Sequence, residues 1–537
     1  AFKAAVQKAH VWSIMGSYNL YNNEHNCHND ILLNKILKHD WNFDGVVVSD
    51  WGGAHDTDQA VKNGLDMEFG TWTNGLSKGT SNAYDNYYLA MPYKKGILSG
   101  KYTEKELNDK VRRVLRLYFR TTMAKRGHGF LCSEAHYEAA KDIAEEGIVL
   151  LQNKGNVLPL QLDGSKRKKV LVVGENAIKM MTVGGGSSSL KVQREISPLQ
   201  GLQARLAKDG VEVDFARGYV GDVTGAYNGV TTGQNLEDKR SEAELIAEAV
   251  EKAKAADCVI LFGGLNKSDY QDCEGHDRQQ YELPYAQDKL ITALAAANKN
   301  FVYVNISGNA VAMPWRDKVP AIVQGWYLGS EAGEALAAVL TGDANPSGKL
   351  PFTWVKSLQN VGAHALNTYP GTWRKEGGSK TEGNIIDEEY KEGIYVGYRW
   401  ADREKQRPVF AFGHGLSYTQ FAISNLRADK ASMTAADSIT FTVQVKNIGQ
   451  RAGSETVQLY VHDAKASVDR PLKELKGFCK VSLQPGESKD VSITLGKDAL
   501  SFYDETTASW KAEPGLFEAW VGNASDNLKL RKSFQLK

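Results

Sequence analysis

The sequence has little of what stabilises small secreted folds or anchors membrane proteins. Its 537 residues include only five cysteines, namely Cys27, Cys132, Cys258, Cys273 and Cys479, so no disulfide framework holds the fold together. No run approaches the roughly 18 apolar residues of a membrane-spanning helix. Lys and Arg number 65 against 64 Asp and Glu. This balance excludes a polybasic nucleic-acid binder, because no cationic surplus exists to neutralise phosphates.

What the sequence does contain is typical of a large soluble protein. Apolar residues make up 42% of the chain and charged residues 24%, the usual balance of globular domains. A chain of 537 residues is too long for a single hydrophobic core, and its length suggests about three domains. Three regions of different pattern are visible along the sequence.

Residues 1–125 alternate between strand and helix patterns, which is α/β texture. The β-branched run Val46–Val48 is typical of a strand buried in a parallel sheet. Thr103 and Glu106 have capping-box spacing at the start of a helix that we expect to reach Tyr118. In all, three strands are predicted, at 13–18, 45–49 (which contains the run Val46–Val48) and 65–69, and a further helix at 30–39, while 126–135 is predicted to be a linker.

Residues 136–356 form a second α/β region, predicted to be an open and mostly parallel sheet. Ser241 and Glu244 have capping-box spacing at the start of a helix over 241–256. Residues 357–424 lack clear periodicity and are interpreted as a long irregular connection. The strands of the sheet are predicted from short apolar runs at 170–173, 258–262, 301–306 and 321–326.

Residues 425–537 show the alternation of an all-β domain. Ile439, Phe441, Val443 and Val445 alternate with polar residues, as in a strand with one solvated face. Turn signals such as Pro485-Gly486 punctuate the region. An immunoglobulin-like sandwich is predicted, and the chemistry is expected upstream of it.

Asp50 is the first candidate for chemistry, because it directly follows the predicted strand at 45–49. Reactive groups in parallel α/β sheets gather where strands end at their carboxyl side. Asp50 is followed by the aromatic Trp51 and then by Gly52 and Gly53, two small residues that let a ligand approach. A carboxylate in this place is a candidate nucleophile facing a sugar ring. The alternative, that Asp50 only caps the following helix, stays open at this stage.

Glu274 is the best candidate for a second carboxylate, which a hydrolase with a carboxylate nucleophile needs as its acid/base. It lies in a polar loop after the strand at 258–262, where Gly275 gives the backbone freedom. Arg278 is expected to anchor this loop through Asp277 or Asp272. From the residues alone, a solvated turn with a local Asp–Arg pair is the favoured interpretation.

Motifs along the whole chain resemble glycoside hydrolase family three. Met15–Asn19 and Trp41–Trp51 resemble the region around its nucleophile. The later motifs follow in the order of the family and are Gly184–Ser188, Asn345–Pro351, Phe412–Tyr418 and, in a fibronectin-type module, Arg470–Phe478. The resemblance implies the C-terminal part of a (β/α)8 barrel at 1–125, an α/β sandwich domain at 136–356 and a fibronectin type III-like domain at 425–537.

The resemblance also implies roles for individual residues of a retaining β-glucosidase. Asp50 is the implied nucleophile, and Glu274 is the implied acid/base. A partly buried Glu274 beside an ionised Asp50 is expected to have a raised pKa. Tyr18 is expected to hydrogen-bond the nucleophile and Trp51 to stack on the sugar. The remaining implied substrate contacts are Met15 and one serine of the glycine-rich loop, either Ser187 or Ser188.

The substrate follows from the same resemblance. A tryptophan after the nucleophile is similar to the β-glucosidases, whereas family members acting on xylosides often carry cysteine there. We expect release of terminal β-D-glucose from oligosaccharides or aryl β-glucosides, without a cofactor. The alternatives are a β-xylosidase or arabinosidase of the same family and a catalytically inactive carbohydrate-binding fragment.

Other candidate sites fit the sequence less well. His25-Asn26-Cys27-His28 matches no standard zinc spacing, and no metal site is expected. The segment after residue 173 lacks the glycine pattern of a dinucleotide site. Asp66 and Glu68 also lie near a predicted strand end and are alternative candidates for the nucleophile. Their positions in the family pattern imply that they support the site and do not react.

The barrel segment is shorter than the family requires, since a full barrel takes about 250 residues and eight strands. Three strands cannot close into a barrel, so we expect the N-terminal barrel segment to be missing or to be a separate chain. A homodimer is also considered, whereas nucleic-acid and membrane partners are not expected. The first residues, Ala1–Ala5, lack a starting Met and a signal peptide. Because enzymes of the resembled family that hydrolyse oligosaccharides usually work outside the cytoplasm, a periplasmic or secreted location is expected.

Overall fold

The computed structural model describes residues 1–70, 85, 87–125, 127, 129–161, 169–223, 230–375 and 385–537. The chain folds as two compact units, Ala1–Phe130 and Leu131–Lys537. Together they contain α/β elements followed by an all-β domain, which confirms the predicted fold class. No described helix has both the length and the apolar character needed to cross a bilayer.

The first unit is built around a short parallel strand pair and the helices beside it. In chain order its elements are α1 (Phe2–Gln7), β1 (Ser13–Gly16), β2 (Leu20–Tyr21), β3 (Glu24–His25), a 3₁₀ turn (Asn26–His28), a π-helix (Ile31–Asp40), β4 (Val46–Ser49), α2 (Thr57–Lys62), α3 (Met91–Leu98) and α4 (Glu104–Arg120). Strands β1 and β4 pair in parallel, with Gly16 opposite Ser49. Leu33 and Leu37 of the π-helix pack with buried Val47 of β4. At α4, Thr103 caps the amide of Lys105 instead of completing a full capping box.

The predicted third strand at 65–69 is wrong. This segment makes one parallel bridge, between Met67 and Val48, and no named strand. The reason is that the Asp66 carboxylate accepts the Val47 N–H at 2.8 Å, so a side chain takes the donor that a continued backbone ladder would use. Lys38 Nζ pairs with the same carboxylate at 2.8 Å, which compensates the buried charge.

The second unit begins with an α/β sheet covered by helices on both faces. Its elements are α5 (Glu134–Gly147), β5 (Val149–Asn153), β6 (Lys169–Val173), α6 (Pro198–Ala207), β7 (Glu212–Ala216), α7 (Glu242–Ala255), β8 (Cys258–Gly264), α8 (Gln287–Ala297), β9 (Phe301–Ile306), β10 (Ala321–Gln324) and α9 (Ala332–Thr341), with 3₁₀ turns at Lys154–Asn156, Glu175–Ala177 and Arg316–Lys318. The strand order is β5-β10-β9-β8-β6-β7, and only the edge strand β5 runs antiparallel to its neighbour. Every residue of β8 is buried, as its continuous apolar run predicts.

Short elements and a β-sandwich complete the second unit. They are a 3₁₀ turn (Leu358–Asn360), α10 (Gly362–Ala365), β11 (Thr372–Trp373), β12 (Ile386–Asp387), α11 (Tyr398–Arg403), β13 (Phe421–Ala428), β14 (Ser432–Met433), β15 (Ser438–Asn447), β16 (Gly453–Asp463), β17 (Glu474–Leu483), β18 (Ser488–Gly496), α12 (Lys497–Leu500), β19 (Phe502–Asp504), β20 (Ser509–Lys511), β21 (Gly515–Gly522) and β22 (Leu530–Leu536). The two main sheets have the orders β13-β15-β18 and β14-β22-β21-β16-β17. Ile439, Phe441, Val443 and Val445 all face their shared core, as the alternation predicts.

Helices α6 and α9 cross at two glycines on one face of the sheet. A Cβ added at Gly201 would lie 2.1 Å from the carbonyl oxygen of Gly333, and one added at Gly333 would lie 2.1 Å from the carbonyl oxygen of Ser197. The two backbones therefore touch, and neither position has room for a methyl group.

Replacing Gly201 by alanine is expected to destabilise the second unit. Alanine is favoured over glycine in a helix by about 1 kcal/mol, but overpacking against backbone costs about 1–3 kcal/mol. Urea unfolding of Gly201→Ala should therefore show a lower midpoint. Gly147→Ala is the control, because a Cβ there meets no atom within 4 Å. A Gly201→Ala midpoint at or above that of the control would refute the close crossing.

Candidate functional site

Asp50 extends the parallel strand pair of the first unit by one residue. Its amide donates to the carbonyl oxygen of Gly16 at 3.1 Å, and its Oδ1 accepts from the amide of Trp51 at 2.6 Å. The interpretation of Asp50 as a helix cap is wrong, because Asp56 caps α2 and accepts from the amide of Gln59. The carboxylate of Asp50 is thus held at the carboxyl end of a strand.

Large side chains lie exposed around this strand end. Trp51 is 64% exposed and Met15 58% exposed, so both offer apolar surface to a ligand. The Trp51 indole lies against the backbone of Gly70, where a Cβ would come within 2.3 Å of the ring. The Tyr18 hydroxyl, predicted to hydrogen-bond the nucleophile, donates to the carbonyl oxygen of Trp51 at 2.9 Å. It therefore holds the backbone next to Asp50.

A buried thiol packs beneath the Asp50 turn. Cys27 is fully buried, and its Sγ donates to the carbonyl oxygen of Gly16 at 3.2 Å. Burial raises the pKa of this thiol; the Asp50 backbone amide opposes the rise and the Asp50 carboxylate adds a smaller increase. A Cβ at Gly53 would lie 2.5 Å from the sulfur, so the turn needs glycine there. The sequence analysis did not assign this role to Cys27, since only the fold brings it below Asp50.

The rival carboxylates have structural partners. Asp66 is buried against Lys38 and the amide of Val47. Glu68 accepts from the amides of Tyr88 at 3.1 Å and Leu89 at 2.7 Å. Both carboxylates satisfy backbone donors, which supports their interpretation as supporting residues.

Three histidines of the first unit, His25, His28 and His55, contact each other. The rings of His25 and His55 stack with centroids 3.7 Å apart, and His28 Nε2 accepts from the amide of His55 at 3.2 Å. That contact uses the ring lone pair that a metal would need. Burial and the neighbouring His25 and His28 lower the pKa of His55 to about 4.

Glu274 lies in the second unit, on the loop that follows β8. Its amide donates to the carbonyl oxygen of Gly185 at 3.1 Å. Its Oε2 accepts from the amide of Ser187 at 2.8 Å and from the Ser187 hydroxyl. The side chain is exposed, and the two Ser187 donors hold the pKa of Glu274 below its ordinary value. The predicted burial and raised pKa are thus wrong, because Glu274 is exposed and Ser187 stabilises its charged form.

The glycine-rich loop is shaped to meet Glu274. Gly184, Gly185 and Gly186 all have positive φ, from +76° to +103°, where a side chain would be strained. A Cβ at Gly186 would lie 2.7 Å from both Cβ and Oε2 of Glu274. Of the two candidate serines, Ser187 contacts Glu274, whereas the Ser188 hydroxyl donates within its own loop to Gly184 at 3.2 Å.

Asp272 anchors the Glu274 loop to the end of the sheet. Its Oδ2 accepts from the amide of Gly308 at 2.7 Å and from the Tyr327 hydroxyl at 2.9 Å, and its Oδ1 accepts from Asn309 at 3.2 Å. Arg278 was predicted to anchor this loop by pairing with Asp272 or Asp277, but its observed hydrogen bond goes elsewhere. Arg278 donates to the carbonyl oxygen of Ala310 at 2.7 Å, and Asp277 accepts from the hydroxyl of Tyr369.

Each unit presents one candidate carboxylate. In the first unit Asp50 lies at a strand end beside exposed apolar side chains, and in the second unit Glu274 lies exposed on an anchored loop. Glycosidases use two carboxyl groups, so these residue types are those of a candidate glycoside hydrolase.

Comparison with known proteins gives the family. The description "Glycosyl hydrolase family 3 N terminal domain" matches residues 1–117, "Glycosyl hydrolase family 3 C-terminal domain" matches 148–418, and "Fibronectin type III-like domain" matches 455–525. The chain belongs to glycosyl hydrolase family 3, as its motifs indicated.

Individual relatives match over nearly the whole chain. It is 47% identical to the β-glucosidase BoGH3A of Bacteroides ovatus, over all of this chain and 70% of that protein. It is 33% identical to an exo-α-(1→6)-L-arabinopyranosidase of Bifidobacterium breve, over 98% of this chain and 64% of that protein. The crystal structure of DesR, a β-glucosidase from Streptomyces venezuelae in complex with D-glucose, matches with a TM-score of 0.87 at 28% identity, over all of this chain and 77% of that one. The chain thus spans about two thirds of the length of these curated relatives.

Removing the Ser187 hydroxyl is expected to raise the pKa of Glu274 toward its ordinary value, because a donor to the charged form is lost. The pKa is measured directly by NMR titration of the labelled Glu274 carboxyl in Ser187→Ala. Ser188→Ala is the control and should leave the pKa unchanged, since its hydroxyl bonds within its own loop. An equal effect of both substitutions, or a fall in the pKa for Ser187→Ala, would contradict this assignment.

Proposed function

We propose that this protein is a retaining β-glucosidase that releases terminal non-reducing β-D-glucosyl residues. The observation that carries the proposal is the Asp50 carboxylate, held at the end of β4 by the backbone contact to Gly16 with Trp51 and Met15 exposed beside it. The relative that is 47% identical over the whole chain is named a β-glucosidase, which supports the same substrate class.

The reaction proceeds by two displacements at the anomeric carbon. In the first, an Asp50 oxygen attacks this carbon, the glycosidic bond breaks, and Glu274 gives its proton to the departing oxygen. A covalent glucosyl ester on Asp50 results. In the second, Glu274 takes a proton from water, the water oxygen attacks the same carbon, and the ester bond breaks to release glucose with retained configuration. The chemistry requires the two carboxyl groups to be about 5–5.5 Å apart.

The surroundings of each carboxylate fit these roles. Trp51 offers an exposed aromatic face on which a sugar ring can stack, and Met15 extends the apolar surface. The Ser187 donors favour the ionised form of Glu274, which is the form that acts as base in the second step. The first step needs the protonated form, so its rate should depend on loosening the contact with Ser187.

An arabinosidase is the second candidate, because the relative from Bifidobacterium breve is named an exo-α-(1→6)-L-arabinopyranosidase. The comparison that separates the candidates uses p-nitrophenyl β-D-glucopyranoside, α-L-arabinopyranoside and β-D-xylopyranoside. A kcat/KM highest for the glucoside supports the proposal. A higher value for either pentoside assigns the enzyme to that substrate instead.

Substitution of Glu274 by alanine should impair substrates according to their leaving groups. For alkyl glucosides, whose leaving oxygen needs a proton, we expect kcat/KM to fall by about 10²- to 10⁴-fold. For dinitrophenyl glucoside, whose leaving group needs none, the fall should be much smaller.

The products in azide distinguish the two carboxylates. Glu274→Ala should yield β-glucosyl azide, because azide replaces water in the second displacement, whereas Asp50→Ala should yield α-glucosyl azide by a single displacement.

Glu282→Ala is the matched control, since Glu282 is an exposed carboxylate eight positions along the same segment. It should keep wild-type kinetics on both kinds of substrate. Equal losses for alkyl and dinitrophenyl glucosides in Glu274→Ala would remove Glu274 from the acid role. The same azide anomer from both alanine variants would show that the roles of Asp50 and Glu274 are assigned wrongly.

A further inference from the structure

Three potential metal ligands of different types lie together on the loop that carries Glu274. Asp269, Cys273 and His276 each offer one ligand atom, and these atoms all lie within 4.8 Å of one another. His276 Nδ1 and Asp269 Oδ1 are 3.3 Å apart. Ligands at the usual zinc distances of about 2.0–2.3 Å lie about 3.3–3.8 Å apart on a tetrahedron. Only a small movement is therefore needed for the three atoms to share one ion.

The loop backbone already has the bends that bring these ligands together. Tyr270 has a φ of +60° and Gly275 a φ of +82°, which turn the chain on either side of Cys273. The Tyr270 ring stacks on the His276 ring with centroids 5.1 Å apart and fixes the plane of the imidazole. The Cys273 thiol donates to the carbonyl oxygen of His276 at 3.3 Å. This arrangement reduces the ordering that binding an ion would require.

The chemistry of the donor set selects the ion. A thiolate, an imidazole nitrogen and a carboxylate oxygen are the three ligand types that proteins offer to Zn²⁺, whereas Mg²⁺ and Ca²⁺ prefer oxygen ligands alone. The side chains of Asp269 and His276 are 72% and 51% exposed, so an ion can reach them from solvent. Water would complete the tetrahedron at the fourth position.

We propose that Asp269, Cys273 and His276 form a Zn²⁺ site on this loop. Glu274 directly follows Cys273 and lies two residues before His276, so an ion bound there would fix the backbone on both sides of it. The metal site does not depend on the proposed function.

The site is tested by titrating the metal-free chain with Co²⁺ and then Zn²⁺. We expect one Co²⁺ to bind with a thiolate-to-cobalt charge-transfer band, which Zn²⁺ then abolishes by displacement. Cys273→Ser should remove the band. It should also weaken Zn²⁺ binding by at least about 10- to 100-fold, because loss of a residue that only hydrogen-bonds a metal ligand already has an effect of that size. His276→Gln and Asp269→Asn should also weaken binding while keeping the thiol, and circular dichroism verifies that each variant folds.

Cys479→Ser is the matched control, because Cys479 is a partly exposed free cysteine of the β-sandwich. It should retain both the cobalt band and the zinc affinity. A band that survives in Cys273→Ser, or cobalt binding by the wild type without a thiolate band, would overturn the site.

Discussion

The backbone hydrogen bond from Asp50 to Gly16 fixes the position from which the proposed chemistry starts. It extends the parallel pairing of β1 and β4 by one residue, so the carboxylate leaves the sheet from a rigid strand end and not from a loop. Cys27 occupies the space beneath this turn, where Gly16 and Gly53 leave no room for a side chain of their own. The position of Asp50, the proposed nucleophile, thus depends on small residues packed around one buried thiol.

Glu274 is positioned differently, by hydrogen bonds between its own loop and the glycine-rich loop at 184–188. Glycine conformations at 184–186 allow the backbone to approach Glu274 closely, and Ser187 then donates twice to its carboxylate. Asp272 fastens the same loop to the ends of the neighbouring strands. The proposed acid/base role requires Glu274 to serve in both protonation states, and the two Ser187 donors favour its charged form.

The sequence predicted the elements whose burial is continuous or alternating. Val46–Ser49 and the strands of the sandwich follow these patterns. The strand wrongly predicted at 65–69 is absent because Asp66 takes the Val47 N–H, and the buried Asp66 is in turn paired with Lys38, 28 residues earlier. The pKa of Glu274 depends on Ser187, 87 residues earlier. Local patterns carry no information on partners that only the fold brings together.

The most direct test of this account is to trap the covalent intermediate and locate it. A 2-deoxy-2-fluoroglucoside with a good leaving group slows the second displacement more than the first, so the glucosyl ester accumulates and the protein can be digested and sequenced by mass spectrometry. The account predicts one fluoroglucosyl group per active site, on the carboxylate of Asp50. A label on Asp66, Glu68 or any other residue in an active preparation would contradict it.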